Sequence, residues 1–427
     1  MGDWQPVRLG DVADMVTGYP FKSDQYTSDN SGIRLIRGDN IAQGCLRWDG
    51  VKRWPASQAA AHANYALAPN DVVLAMDRPW IEAGLKYATI READCPSLLV
   101  QRVTRLRGTD RADGRYLAYV IGSAAFTQHV LAVQTGTAVP HISGGQIKSF
   151  EFVLPAMDTQ VAIAAVLTAL DDKIELNRRM NGTLEASARV LFRDWFVDFG
   201  PTRAKAEGRP AYLAPDLWSL FPDNLDEDGV PEGWSVKPLD QIAEFLNGLA
   251  LQKYPAVPGE QDLPVIKIAE LRSGISANSN RASPAVPEKY IVDDGDFLFS
   301  WSGSLLAKFW TGGQGALNQH LFKVTSLEYP AWFYTHWVWH HLEDFQMIAA
   351  SKATTMGHIQ RGHLSAATTI CPPQPSIAAF GEIIAPLQQR MIDNLIESRT
   401  LAATRDALLP KLMSGELRVR DAEAMAA

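Results

Sequence analysis

The stretch DDKIELNRRMNGTLE, residues 171–185, has the seven-residue apolar rhythm of a paired helix, interrupted by amides. Counted in sevens, Leu170, Ile174, Asn177, Asn181, Leu184, Ala188, Leu191 and Trp195 fall on one seam. Asparagine takes two consecutive seam positions, where a stable zipper places leucine or isoleucine; a buried amide there costs stability and fixes register. The helix should run from Asp158 or Thr159 to near Phe199, where Gly200-Pro201 stops it. That is about 40 residues, or ~60 Å at 1.5 Å per residue.

The seam recurs. At an offset of 217, Leu170, Ile174, Asn177, Leu184 and Leu191 become Leu387, Met391, Asn394, Leu401 and Leu408, while Asn181 becomes Ser398. The repetition extends over most of the chain. WQPVRLGDVADMVTG (4–18) aligns with WSVKPLDQIAEFLNG (234–248), YALAPNDVVLAM (65–76) with YIVDDGDFLFSW (290–301), and TAVPHISGGQI (137–147) with TTMGHIQRGHL (354–364). Two copies of one plan suit an internal pseudo-dimer rather than a solenoid. The expected fold is α+β: two pseudo-repeated mixed α/β domains separated by two long helices that form an antiparallel coiled coil. The divisions read as a domain at 1–157, a long helix at 158–200, an acidic linker at 201–233, a domain at 234–375, and a long helix with tail at 376–427. VRLGDVADMV reads as a short amphipathic helix, RLIRGDNI and DVVLAM as strands, and Pro386 as a kink or restart in the second long helix.

At 427 residues, 46% apolar and 21% charged, the composition is that of a globular protein. No apolar run reaches the roughly 18–20 residues needed to cross a bilayer, so no membrane is expected. The first residues show no export signal. Cys45, Cys95 and Cys371 are dispersed and odd in number, which excludes a disulfide framework, fits small core residues and points to the cytoplasm. The net charge of −8 is local. Residues 1–157 carry 16 Lys/Arg against 15 Asp/Glu, 234–370 carry 10 against 12, and 205–233 carry 2 against 7. Both domains are near neutral and can hold basic patches, so the overall sign excludes no nucleic-acid partner.

No string assembles into an active site. DRPW (77–80) resembles the Asp-Pro-Pro-aromatic motif of amino-methyltransferases, yet Arg78 replaces a proline and no Gly-x-Gly cofactor loop precedes it; a loop after the DVVLAM strand is the favoured reading. TGGQG (311–315) precedes no clear helix. His336, His340 and His341 share a segment with three tryptophans and lack a third metal ligand, so no metal site is expected. His141 and His358 match between copies and suit either a turn backbone or a DNA contact.

DDKIELNRRMNGTLE with LFRDWFVDFGP, the GVPEGW stretch at 229–234 and RDALLPKLMSGELRV at 405–419 closely resemble specificity subunits of type I restriction-modification systems. The resemblance covers essentially the whole chain, each motif falling at its place in the duplicated frame. It implies a non-catalytic, DNA-binding chain whose two mixed domains are target-recognition domains. Each would read one half of a bipartite, asymmetric site in double-stranded DNA, with the helices as spacer. The implied partners are two methyltransferase subunits and two restriction/translocase subunits. The chain itself would bind no cofactor; S-adenosylmethionine, ATP and Mg would belong to those partners. A single-chain DNA methyltransferase with an unrecognised catalytic region and a stand-alone DNA-binding regulator remain the alternatives.

Residues in matching loops are the candidates for DNA: Tyr19, Lys22, Arg78, Thr137, His141 and Ser143, with Lys253, Ser302, Lys308, Lys352, Thr355, His358 and Arg361 in the second domain. The helix-pairing set is Leu170, Ile174, Asn177, Asn181, Leu184, Leu191, Leu387, Met391, Asn394, Ser398, Leu401 and Leu408. Arg178, Arg179, Phe192, Trp195 and Phe196 are candidates for docking the methyltransferases on the outward helix faces, although the seam position of Trp195 also suits a core residue.

Overall fold

The structure is a computed structural model and describes residues 4–136, 138–259, 261–351 and 357–426. It divides into two units, Met1–Lys173 with Leu401–Ala427, and Ile174–Thr400. Both divisions fall inside long helices, so each unit contains a segment of each one.

In the first unit the buried run Val72–Ala75 is the middle strand of a five-stranded sheet. Its order is Asp14–Thr17, Val103–Arg107, Val72–Ala75, Tyr87–Thr89, Gln43–Gly44. A second sheet pairs Ser97–Leu99 in parallel with Ile33–Ile36, and Gln5–Arg8 pairs with Glu151–Leu154. The helix Gly114–Gly122 begins where the Asp113 carboxylate accepts from the Arg115 and Tyr116 amides, both at 3.0 Å. Its buried face, Tyr116, Leu117, Val120 and Ile121, closes the core over this sheet.

The second unit repeats the plan. Ser235–Pro238 pairs with Thr368–Cys371, and Glu244–Asn247, Leu321–Thr325, Phe297–Ser300 and Ala307–Phe309 form a sheet in that order. Leu263–Ile266 runs parallel to Gly315–Leu317. The aromatic helix Ala331–Ser351 packs where Gly114–Gly122 packs in the first unit.

Four expectations change. VRLGDVADMV is a strand, a single 3-10 turn at Leu9–Asp11 and a second strand, because Leu9, Val12 and Ala13 bury themselves while the flanking residues pair in sheets. The segment 201–233 is folded rather than a linker: Thr202, Ala204, Phe221 and Val230 are buried, and Lys205 Nζ donates to the Phe221 carbonyl at 2.6 Å. The second long helix, Gln374–Ser414, runs through Pro386 without a restart. Pro386 and Glu382 are both exposed, so water can bond the carbonyl that the proline leaves without an N–H. Of the cysteines only Cys371 is buried; Cys45 lies exposed in a turn.

The first long helix spans Met157–Phe192 and continues as a π-helical turn, Arg193–Val197, before Phe199 turns left-handed. In the second unit the helices run antiparallel around an amide layer. Asn177 and Asn394 are fully buried. Asn177 Nδ2 donates to Glu397 Oε2 at 2.7 Å, Asn394 Nδ2 to Asn181 Oδ1 at 2.8 Å, and Asn181 Nδ2 to the Met391 carbonyl at 3.1 Å. Among the described residues neither Asn177 Oδ1 nor Asn394 Oδ1 finds a donor. A buried unpaired acceptor costs about 1–3 kcal/mol, so this layer is tolerated rather than stabilising. Ile174, Leu184, Leu191, Leu387, Met391 and Ser398 are half-buried around it. In the first unit Leu170, Leu408 and Leu412 are buried together with Leu401 beside them, and Asp171 accepts from Arg405 at 2.6 Å and from the Tyr119 hydroxyl at 2.7 Å.

His336 lies between the Phe192 ring, stacked at 5.0 Å, and the edge of Trp339. Burial pushes it down to about 4, against the bond from Nδ1 to the Trp332 carbonyl (2.6 Å) and with help from Arg189. The unfolded chain therefore takes the proton first, near the ordinary histidine value of about 6.5. Stability is full above that pH and falls as pH drops towards 4, by on the order of 3 kcal/mol over the whole window. Thermal unfolding should show the second unit losing stability between pH 7 and 4.5, and His336→Phe should flatten part of that slope; parallel slopes would sink the assignment.

Candidate nucleic-acid interface

The first unit carries a cleft of about 1060 Å³ lined by Arg37, Lys52, Arg53, Arg78, Lys86 and Arg102 against Asp39 and Asp77. Six cations to two carboxylates make it electropositive, in a chain whose net charge is −8. Burial pushes the Lys86 ammonium down, opposed by Asp39 and reinforced by Arg47 and Arg78.

Asp77 is the hub of this wall. Its Oδ2 accepts from Arg102 Nη1 and its Oδ1 bonds His141 Nδ1 at 2.6 Å. Burial works against the charge, yet the Arg102 and His141 bonds outweigh it and hold the carboxyl below its usual range. Both arginines here have left-handed backbones, φ +44° at Arg78 and φ +64° at Arg102. A non-glycine residue held there costs on the order of 1–3 kcal/mol, and such strain collects where side-chain placement matters. The position corresponding to Arg78 in the second unit is Gly303, also left-handed at φ +65°. The fold wants glycine at this turn, and the first unit keeps arginine.

The correspondence runs bond for bond. In the first unit Gly18 donates to the Val103 carbonyl, Tyr19 to Leu99, Gln101 to Tyr19, Met76 to Arg102, and Ile142 to Met76. In the second unit Gly248 donates to Leu321, Leu249 to Leu317, Gln319 to Leu249, Trp301 to His320, and Ile359 to Trp301. Asp77 bridges His141 as Ser302 bridges His358. The triplet Asp77, Arg102, His141 thus becomes Ser302, His320, His358. Ser302 Oγ lies 3.0 Å from His320 Nδ1, and Trp301 sits against both His320 and His358 rings.

A family model described as the type I restriction modification DNA specificity domain matches residues 1–186. The MjaIX specificity subunit of Methanocaldococcus jannaschii is 25% identical over 377 residues, covering 85% of this chain and 82% of that protein. The EcoAI specificity subunit of Escherichia coli is 35% identical over 188 residues, 44% of this chain and 31% of its own length. A solved S subunit from M. genitalium shares the fold, with TM-score 0.56, 14% identity and 96% of each chain covered. Residues 1–186 match the type I restriction modification DNA specificity domain, and the chain is similar over most of its length to specificity subunits.

The expected DNA contacts scatter over the two units. Arg78 lines the cleft and His141 is tied to Asp77 behind it. Tyr19 packs among Phe21, His62 and Tyr65, and Lys22 is exposed next to the lining residue Phe21. Ser143 caps the helix Gly144–Lys148, its Oγ accepting from the Gln146 amide at 3.3 Å. In the second unit Ser302 is buried, Lys308 is half-buried with its ammonium pushed down by burial, and Lys253 and Arg361 are exposed. Thr137, Lys352 and Thr355 lie outside the described residues. Asp77–Trp80 leads from a strand into the small hairpin Trp80–Ile81 and Gly84–Leu85, and Asp77 is engaged by its two cations; TGGQG runs into a strand, Gly315–Leu317. Among the described residues no three His, Cys, Asp or Glu side chains could hold a metal ion, and no single helix is long and apolar enough to cross a membrane.

The aromatic docking candidates need correcting. Phe192, Trp195 and Phe196 are buried, packed among His336, Trp332, Phe333 and Phe380 in the second unit's core. Arg178 and Arg179 do face outwards, beside Glu175. Among the described residues the exposed large apolar side chains on these helices are Val161, Leu176, Val190, Ile383 and Leu395, which the heptad count passed over because they sit off the seam.

Gln101, Arg102, Gln319 and His320 were missed as well, although LVQRV (99–103) and LNQHL (317–321) repeat the same L-x-Q pattern. Gly18 and Gly248 press against these segments: an added Cβ would lie 2.2 Å from the Val100 carbonyl oxygen and 2.3 Å from that of Asn318. Gly18→Ala and Gly248→Ala should each destabilise their own unit by about 1–3 kcal/mol or more through overpacking against backbone. Denaturant unfolding followed by hydrogen exchange at 99–103 and 317–321 would show it; wild-type protection would count against the close approach.

Proposed function

We propose that this chain is the DNA-reading subunit of a type I restriction-modification complex, each unit reading one half of a split, asymmetric site in duplex DNA. The observation that carries this is the duplicated strand-and-loop module, set beside a cationic cleft in the first unit and built from different side chains in the second. Two units with one framework and different reading residues suit two different half-sites joined on one chain. A palindrome would require like residues at the matched positions. The chain contributes recognition and no bond-making chemistry. Methylation, with S-adenosylmethionine, and cleavage, with ATP and Mg, belong to the methyltransferase and restriction/translocase subunits.

The long helices supply the spacer, and their outward apolar residues Leu176, Val190, Ile383 and Leu395, with Arg178 and Arg179, form the surface on which the methyltransferase subunits dock. A buried amide layer with two orphan acceptors disfavours slipped pairings, since an amide shifted along the seam would meet Met391, Leu387 or Leu401 in place of an amide.

Co-expression of the chain with its methyltransferase subunit, followed by genome-wide mapping of methylated bases, should return a bipartite motif with a fixed gap; a contiguous motif or none would refute the function. Lengthening both long helices equally should change only the gap. Asn177→Leu with Asn394→Leu should raise the melting temperature by several degrees, since relief of about 1–3 kcal/mol shifts a unit of this size by roughly 2–4 °C per kcal/mol. The same pair should broaden the accepted gap, and an unchanged gap would leave the amides without a role in register. Leu176→Glu with Val190→Glu should abolish co-purification of the methyltransferase while leaving the melting temperature within a degree or two.

A further inference from the structure

We propose that Arg102 and His320 are corresponding specificity-determining residues of the two units, that Arg102 reads a guanine in one half-site, and that Asp77 is the positioning residue that aims it. This rests on the DNA-reading function above and names the chemistry of one contact within it.

Two observations single out Arg102. Its backbone is left-handed at φ +64°, on the wall of the cleft, directly after the exposed Gln101. Its side chain is 68% exposed and yet anchored through Nη1 to Asp77. Anchoring one nitrogen of a planar guanidinium fixes the plane and leaves the other N–H groups available as a fork. That fork matches guanine O6 and N7 in the major groove, the commonest specific arginine contact. Asp77 cannot swing away, because His141 holds its second oxygen at 2.6 Å. A phosphate contact would need no such rigidity, since phosphate accepts from many directions.

The second unit supplies the comparison. Its loop has the same backbone bonds and the same glutamine, Gln319, but His320 in place of Arg102 and Ser302 in place of Asp77. The His320 ring is spanned by Ser302 Oγ at 3.0 Å on Nδ1 and by the Gln319 amide at 3.3 Å on Nε2. An imidazole offers one donor or acceptor at each nitrogen and cannot form a bidentate fork. The paired loops therefore keep one residue, Gln101 and Gln319, and change the next, Arg102 and His320. The two half-sites should differ in base identity at the position that this second residue faces.

The test uses the full chain with its methyltransferase subunit, reading both the genomic motif and methylation rates on duplexes carrying each base at one position. Wild type should require guanine at one position of the half-site read by the first unit. Arg102→Lys and Arg102→Ala should relax that requirement on the order of ten- to a hundred-fold, leaving the other positions and the second half-site unchanged. Asp77→Asn should relax the same position to a lesser degree, with Asp77→Glu restoring part of the preference. Melting temperature and subunit co-purification accompany each variant; where Arg102→Ala fails to assemble, Arg102→Lys decides. A uniform loss of rate on all four bases, or wild-type preference in Arg102→Lys, would overturn the proposal and make Arg102 a phosphate contact. A wild-type motif lacking guanine in that half would overturn it too. A wild-type complex that methylates no split motif would instead remove the DNA-reading function itself.

Discussion

Both units of this chain are built on the antiparallel pairing of its long helices. In the first unit Ile163, Leu167 and Leu170 of one helix and Leu408 and Leu412 of the other enter the same core as the five-stranded sheet. In the second, Ala188, Phe192 and the π-helical Trp195 and Phe196 join Ile377, Phe380, Ile384 and Ile392 beneath the other sheet. Neither core is complete without residues from both helices. The amide layer at Asn177 and Asn394 is therefore placed where a change of register would disturb more than the helices themselves. Leucine in those positions would pack better locally and discriminate less between pairings.

The framework was legible in the sequence because sheets and cores impose patterns that survive divergence. DVVLAM and DFLFSW share little identity but the same buried run, and the seam of the first long helix returns 217 residues later. Gly18 and Gly248 end the aligned stretches 4–18 and 234–248, and each lies against a backbone carbonyl where no side chain fits. The acidic segment 201–233 misled through composition, since proline, glycine and aspartate suggest a loop while the few apolar residues that matter, Phe221 and Val230, are dispersed.

Reading residues were harder, for a physical reason. A side chain that contacts DNA is exposed and obeys no apolar period, so only its place in a repeated frame can reveal it. His141 was proposed that way, and it holds Asp77 behind the cleft rather than lining it, while Ser302 and His358 occupy the corresponding positions of the second unit. Arg102 escaped because its counterpart His320 is a different residue, so the repeat did not mark it, and its left-handed backbone leaves no trace in the sequence. The docking aromatics failed for the opposite reason: Phe192 and Phe196 lie one position off the heptad seam, yet the second unit's core buries them along with Trp195, which the seam itself placed inside.

The first unit is discontinuous, closed by Leu401–Ala427, with Leu408, Leu412 and Ala422 in its core and Gly415 lying against Trp4. During synthesis on the ribosome, the part made first cannot complete its core until Leu401–Ala427 has emerged. The second unit, contiguous from Ile174 to Thr400, has every residue it needs while the first still lacks a wall. The order of maturation thus reverses the order of translation. Translation arrest before Leu401, or proteolysis within Leu401–Ala427, would strike the first unit, more than two hundred residues away in the chain.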